Sequence, residues 1–437
     1  FYEKNQNLMI NKLNFSLTKD QKKTLDEINR DLCSSKKMFR LLQGDVGSGK
    51  TIVSLLAACN TIMSGFQVAV MAPTEILARQ HYNLAKKIFP KNLKIQLISG
   101  KSDYKTKKDI LNKLTTNEIN IIFGTHAIFQ KKVIYKNLGL IIIDEQHKFG
   151  VNQRKRLSDK GGNNCDVLLM TATPIPRTLT MTMYGDMDLS IIAEKPKLRK
   201  PIKTYSKLES KIDDIIKFIK KEIKAGNQIF WVCPLIEESK KLDHSSAIKK
   251  FEYLEKLFPN QVSLLHGKTD IEEKEIILNR FLKNEFKILV STTIIEVGID
   301  FPNANVIIIE NANKFGLSQL HQLRGRVGRG NKNSTCILMF KSNLSENAKK
   351  RINILKNSND GFYISEEDMK IRGFGDILGF KQSGIKNFKL ADPIHNNDLF
   401  LLAEKEMRRI EQSNEDIGKF KPLIKLYDRA DIINDIA

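Results

Sequence analysis

Cysteine is scarce in this chain and never paired. The five cysteines, Cys33, Cys59, Cys165, Cys233 and Cys336, form no C-x-x-C spacing, and each sits in or beside an apolar stretch. That excludes a disulfide framework or a cysteine zinc site, and predicts buried thiols in a reducing cytosol. No apolar run approaches the ~18 residues that would span a bilayer. The polar N-terminus lacks the apolar core of a signal segment, so a cytoplasmic location is expected. The first residue is Phe1 rather than Met, and the expectation is that upstream residues were removed or not included. Tryptophan occurs once, and Trp231 lies inside an apolar strand pattern, which favours a core role over a base-stacking platform. Acidic residues are in deficit, 50 against 72 lysines and arginines, for a net charge of +22. Such a surplus favours a polyanionic partner. No basic amphipathic helix with an aromatic face stands out, so no membrane partner is expected. The charged fraction is 28% beside 41% hydrophobic residues, which argues against global disorder.

What is present is a repeat of strand, turn and helix. β-Branched runs at 39–43, 67–72, 119–123, 138–143 and 166–170 are each followed by turn residues and an amphipathic helical pattern. Such continuous apolar strands indicate parallel sheets covered on both faces. The pattern pauses at 193–203, where two prolines and five basic residues predict a linker, and resumes at 228–233, 261–265, 286–291, 305–309 and 335–340. The fold class expected is α/β, with two tandem parallel-sheet lobes. The first spans 1–196 and the second 197–345; a small, mainly helical module follows at 346–437. Within that module 344–358 and 396–412 read as helices, and 371–387 as a glycine-rich loop.

Residues 44–51, GDVGSGKT, fit the phosphate-binding pattern G-x-x-x-x-G-K-[ST] between a predicted strand and a helix opening at Thr51. Gly44, Gly47, Ser48 and Gly49 would let the backbone wrap phosphate oxygens. Lys50 would reach the β- and γ-phosphates of ATP, and Thr51 would offer a hydroxyl to Mg²⁺. At 140–147, LIIIDEQH, a buried strand delivers Asp144 and Glu145 at its C-terminal end, where open α/β sheets bind ligands. Asp144 is placed to hold Mg²⁺ and Glu145 to activate the attacking water. In 319–330, QLHQLRGRVGRG, the pattern Q-x-x-G-R-x-G-R falls on Gln322, Gly325, Arg326, Gly328 and Arg329. Arginines on the second lobe can stabilise charge on a transferred phosphoryl group, which makes hydrolysis depend on lobe closure. A basic loop that only binds nucleic-acid backbone is the plainer alternative.

Together these motifs resemble superfamily 2 helicases, and more closely the RecG family of branched-DNA helicases, from residue 17 to about 395. The resemblance implies RecA-like lobes, ATP and Mg²⁺ as cofactors, and DNA as partner. Leu17, Thr18 and Gln21 look like the adenine-recognising Q motif. The stretches 72–81 and 124–129 look like strand-binding motifs, and 171–178, with Thr171 and Thr173, like the one that couples ATP state to DNA grip. In the second lobe 265–268 and 291–304 are similar to family motifs; Gly298 and Asp300 would lie near the nucleotide, and Thr292 and Thr293 near the DNA backbone. The motor of transcription-repair coupling factors is similar, but those typically read GDVGFGKT and DEEQ; Ser48 and the DEQH at 144–147 match the RecG form. Residues 360–392 resemble the translocation motif of both families, a helical hairpin and loop, which makes Arg372 and Gln382 coupling candidates. Phe374 stands where the family usually has proline. RecG proteins also carry an N-terminal wedge domain; none fits before Leu17, so the expectation is a motor without its wedge. A monomer is expected, with a single-strand-binding protein as a further partner.

For DNA the candidates are Thr74, Gln80, Thr125, His126, Thr292 and Thr293, neutral hydrogen-bonding residues at strand ends that suit phosphate and sugar contacts. Turn or helix-cap roles remain open for them, especially for Thr74 and Thr125. His147 is a candidate bridge between the ATP and DNA sides, against a structural alternative. An RNA helicase and a nucleic-acid-binding module with a dead ATPase are the competing readings.

Overall fold

A computed structural model of the chain describes residues 3–100, 103–130, 132–145, 165–173, 187–196, 200–234, 240–267, 269–292, 301–330, 332–372, 396–413 and 417–422. Two helices open it, α1 (Glu3–Ile10) and α2 (Lys19–Leu32). The first sheet follows with β1 (Phe39–Gly44), α3 (Lys50–Met63), β2 (Gln67–Met71), α4 (Glu75–Ile88), β3 (Ile95–Ile98), α5 (Tyr104–Thr115), β4 (Ile121–Gly124), β5 (Leu138–Ile143), β6 (Asp166–Thr171) and β7 (Asp188–Ile192). The second contains β8 (Lys203–Leu208), α6 (Ile212–Lys224), β9 (Gln228–Val232), α7 (Lys240–Leu257), β10 (Val262–Leu265), α8 (Ile271–Leu282), β11 (Ile288–Ser291), β12 (Ala304–Ile309), α9 (Leu317–Arg324) and β13 (Thr335–Phe340). After it come α10 (Glu346–Asn357), α11 (Gly361–Arg372) and α12 (Asn397–Gln412).

The strand orders are β3-β4-β2-β5-β6-β1-β7 and β10-β11-β9-β12-β13-β8, with every described neighbour pair parallel. Each sheet buries apolar side chains on both faces. In the first lobe Leu42, Val70 and Leu168 point to one layer, and Leu41, Ile141 and Leu169 to the other. The second lobe repeats this with Phe230 and Leu289 against Trp231 and Val290. Trp231 is fully buried, as its apolar surroundings in the sequence imply. All ten strands expected from the sequence are present, with ends shifted by at most two residues.

Three strands lie outside the expectation: β3, β7 and β8. β7 and β8 carry mixed patterns because each is a sheet edge, with burial alternating along it. The linker is correspondingly shorter than 193–203. The amides of Ala193 and Glu194 donate to Asp20 Oδ2 at 2.9 and 2.8 Å, and Lys203 already belongs to β8. The cysteine expectation needs one correction, since Cys33 is exposed while the other four are buried. Cys33 caps the end of α2, beyond the helix's apolar face, where the chain turns into solvent. No helix among the described residues is long and apolar enough to cross a membrane.

Candidate active site

The loop between β1 and α3 is shaped by glycine. Gly47 and Gly49 have φ of 76° and 88°, left-handed values that cost other residues strain. A methyl on Gly44 would meet Ser48 Oγ at 2.5 Å, and one on Gly49 would strike the amide of Gln21. Gln21 is buried beneath the loop: its Nε2 donates to Ser48 O at 2.7 Å and its Oε1 accepts from Thr18 N at 2.9 Å. It therefore props the loop while closing the cap of α2. Lys50, the first residue of α3 and one position before the expected helix start, donates through Nζ to Gly44 O at 2.7 Å and Asp45 O at 3.1 Å. Burial lowers the Lys50 pKa; Glu145, Asp144 and Asp45 oppose that, and the charge of Arg329 adds to it.

The acidic pair sits at the C-terminal end of β5. Asp144 N donates to Met71 O at 2.9 Å, which continues the sheet ladder past the strand. Asp144 Oδ2 lies 2.8 Å from His81 Nε2, and its Oδ1 accepts from Glu145 N at 3.0 Å. Burial would raise the Asp144 pKa, but the bond and charge of His81 and the nearby Lys50 hold it below the usual carboxylate range. Glu145 has φ of 54°, unusual for a residue with a side chain, and its Oε2 accepts from Ala172 N at 3.3 Å. Ala172 lies between Thr171 and Thr173, which close a small turn as Thr173 N donates to Thr171 Oγ1 at 3.1 Å.

The second lobe meets this group through α9 and the turn after it. His321 Nε2 is 2.7 Å from Asp45 Oδ1 in the phosphate loop, and Lys195 Nζ is 2.6 Å from Asp45 Oδ2. Burial would raise the Asp45 pKa, but His321 and Lys195 hold it well below the ordinary range. Gln322 donates to Thr173 Oγ1. Gly325 faces Val46 so closely that a methyl there would stand 3.0 Å from Val46 Cβ. Arg326 is buried, and Arg329 donates through Nε to Gly325 O at 3.4 Å. The phosphate loop, the acidic pair, the 171–173 turn and the arginine segment thus form one cluster.

The remaining candidates lie elsewhere on the strand ends. Thr74 caps α4, its hydroxyl accepting from Leu77 N at 3.4 Å, which is the helix-cap alternative. Gln80 is half-buried on the same helix; Thr125 and the exposed His126 follow β4. Thr292 is buried beyond β11, and its hydroxyl has no hydrogen-bond partner among the described residues. His147, Thr293, Gly298, Asp300 and Gln382 lie outside the described residues, as does the side chain of Arg372 at the end of α11. His81, Asp45, Lys195 and His321 are central here, and the reading of the sequence does not single them out. His81 closes the 72–81 motif, and Asp45 stands at a variable position of the phosphate-loop pattern, where nothing local marks it.

This pair of parallel-sheet lobes, with a glycine-rich loop on one facing arginines on the other, defines a two-lobed helicase-type ATPase fold. Family models agree by segment: DEAD/DEAH box helicase over residues 18–182, Helicase conserved C-terminal domain over 210–331, and ATP-dependent DNA helicase RecG, domain 3, C-terminal, over 358–426. The chain belongs to the RecG family. It is 49% identical over 397 residues to the ATP-dependent DNA helicase RecG of Bacillus subtilis (strain 168), covering 90% of this chain and 58% of that protein. The RecG of Aquifex aeolicus (strain VF5) is 46% identical over 425 residues, 95% of this chain and 54% of that one. A solved structure of RecG bound to a three-way DNA junction matches with a TM-score of 0.77 and 41% identity, over 91% of this chain and 52% of that one. The chain therefore spans little more than half the length of these relatives.

Proposed function

We propose that this chain is an ATP-dependent DNA helicase motor that translocates on duplex DNA and remodels branched DNA such as stalled forks and four-way junctions, in repair and recombination. The observation that carries this reading is the meeting of the two lobes at the phosphate loop: Asp45 with His321, Val46 with Gly325, and Lys50 within the field of Arg329. The site suits a nucleotide triphosphate. The loop presents left-handed glycines, and the buried Ser48 hydroxyl has no partner among the described residues.

In this reading the loop amides and Lys50 bind the phosphates, with Lys50 exchanging its bonds to Gly44 O and Asp45 O for phosphate oxygens. Gln21 supports the loop from the adenine side. Thr51 and Asp144 would hold Mg²⁺, which screens phosphate charge and aligns the oxygens; His81 keeps the Asp144 carboxylate ionised and oriented. Glu145 takes a proton from the attacking water, and its bond to Ala172 ties that carboxylate to the 171–173 turn. Arg326 and Arg329 stabilise charge developing on the terminal phosphate, and Gln322 reports that arrangement to Thr173. Phosphate-sugar contacts from Thr74, Gln80, Thr125, His126, Thr292 and Thr293 position DNA without reading its sequence, while His147, Arg372 and Gln382 couple grip to movement, and Gly298 and Asp300 border the nucleotide. The motor acts as a cytoplasmic monomer with a single-strand-binding protein as a partner. The domains divide at 196/197 and 345/346.

The test is ATP hydrolysis by the chain with single-stranded, duplex, forked and four-way DNA, and with duplex RNA. Stimulation by duplex and branched DNA is the expected result. A rate unmoved by any DNA, or raised more by RNA, overturns the proposal.

A further inference from the structure

The C-terminal helices touch the phosphate loop through a buried chain of polar groups to which the reading above gives no part in hydrolysis. Asp45 Oδ1 pairs with His321 Nε2 at 2.7 Å. On the far side of the ring, His321 Nδ1 is 2.9 Å from Arg324 Nη2. Arg324 Nη1 then donates to Leu355 O at 2.6 Å and Ser358 O at 2.8 Å, at the C-terminal end of α10. His321 and Arg324 are 5% and 2% exposed, so both links of the path are buried. A second strand runs beside it, since Lys195 Nζ bridges Asp45 Oδ2 at 2.6 Å and Asn359 O at 2.6 Å. Gly361, the first residue of α11, closes over the pair: a methyl there would stand 2.8 Å from His321 Nε2 and 2.9 Å from Asp45 Cγ.

The geometry also fixes a direction. A guanidinium can only donate, so His321 Nδ1 accepts and its proton resides on Nε2, aimed at the carboxylate. A neutral ring suits the site, where burial lowers the pKa of His321 against the pull of Asp45. The cation of Arg324 in turn caps carbonyls at a helix C-terminus, where positive charge is favourable. Nucleotide and relay share one residue. Lys50 Nζ holds the Asp45 carbonyl, and a phosphate that draws Lys50 away releases the peptide whose side chain ends on His321.

We propose that Asp45, His321 and Arg324 form a relay that conveys occupancy of the phosphate loop to the 355–361 turn and so sets the position of α11. His321 and Arg324 are positioning residues here; neither touches the reacting atoms. The inference rests on the reading of the loop as a nucleotide site, and names the internal route by which nucleotide state reaches the C-terminal module.

Backbone hydrogen exchange of the full chain, with and without a non-hydrolysable ATP analogue and Mg²⁺, tests it without depending on DNA. In the unmodified chain, exchange should change both at 44–51 and at 355–366. In His321→Leu and in Gly361→Ala, which wedges a methyl into the pair, the response at 44–51 should remain and that at 355–366 should be lost. His321→Gln, which keeps a donor toward Asp45, should restore part of it. Gly361→Ala leaves every relay side chain intact, so it separates the idea from misfolding of the His321 variant. A response at 355–366 that persists in both His321→Leu and Gly361→Ala overturns the relay, as does a loop response in the unmodified chain with none at 355–366. A chain whose 44–51 segment ignores the analogue overturns the nucleotide reading along with it.

Discussion

The two lobes share one plan and differ in what they do with it. Laid side by side, the six strands of the second sheet follow the order of the first six of the other, β8 occupies the place that β1 holds, and β7 has no counterpart. β1 is buried, flanked by β6 and β7, and delivers GDVGSGK to α3. β8 is an edge strand with alternating exposure, and its connection to α6 is the short turn Glu209–Lys211. The same topology therefore carries a phosphate loop in one lobe and an ordinary turn in the other. A doubly covered parallel sheet supplies a strand end, but glycines that admit left-handed backbone and a lysine at the helix start make the binding loop. The second lobe contributes from a different place, the α9 segment, and what it contributes is charge.

The largest expected break in this comparison is Lys50→Ala, which should abolish hydrolysis and weaken nucleotide binding, measured by phosphate release and by titration with a fluorescent ATP analogue. Arg329→Ala follows, with kcat falling on the order of 10³-fold or more while nucleotide affinity changes little. An equal loss of affinity would show that the arginine is only a ground-state ligand. A smaller effect concerns how the lobes fasten the start of β1 and of β8. In the first, Asp166 Oδ1 accepts from Met38 N at 2.7 Å; in the second, the backbone carbonyl of Ser334 accepts from Lys203 N at 3.0 Å. Burial pushes the Asp166 carboxyl up to about 6, with Asp31 adding to the rise. The folded chain thus holds this proton more tightly than the unfolded one. The penalty is absent below pH ~4 and complete above the folded value. Asp166→Asn should therefore raise stability at pH 8 by about 1 kcal/mol, after allowance for partial solvent screening, and change little at pH 4, by denaturant titration. The smallest effect is expected for Lys211→Ala in the exposed turn after β8, with turnover within about twofold of the parent.

The parts of the site that could be read in advance are those written as contiguous words. GDVGSGKT, DEQH and the Q-x-x-G-R-x-G-R run each fix several residues at short spacing, and GDVGSGKT and the pair Asp144 and Glu145 follow the strands that the pattern put before them. His81 on Asp144 and His321 on Asp45 are single residues whose partners lie 63 and 276 positions away, and no periodicity relates them. Hydrophobic patterning found every inner strand because these are apolar on both faces, and one edge strand, β10, besides. It passed over β7 and β8, whose outward positions are free to be polar. Cys33 shows the limit from the other side: a neighbouring apolar residue does not bury a side chain once the helix has ended.

The clasp that Asp20 makes on Ala193 and Glu194 gives the connection between the lobes a fulcrum. Asp20 sits in the first turn of α2, one residue before Gln21, which props the phosphate loop. A pull arriving from the second lobe would meet the tether where it is pinned rather than slack rope, and would bear on the helix on which that prop is mounted.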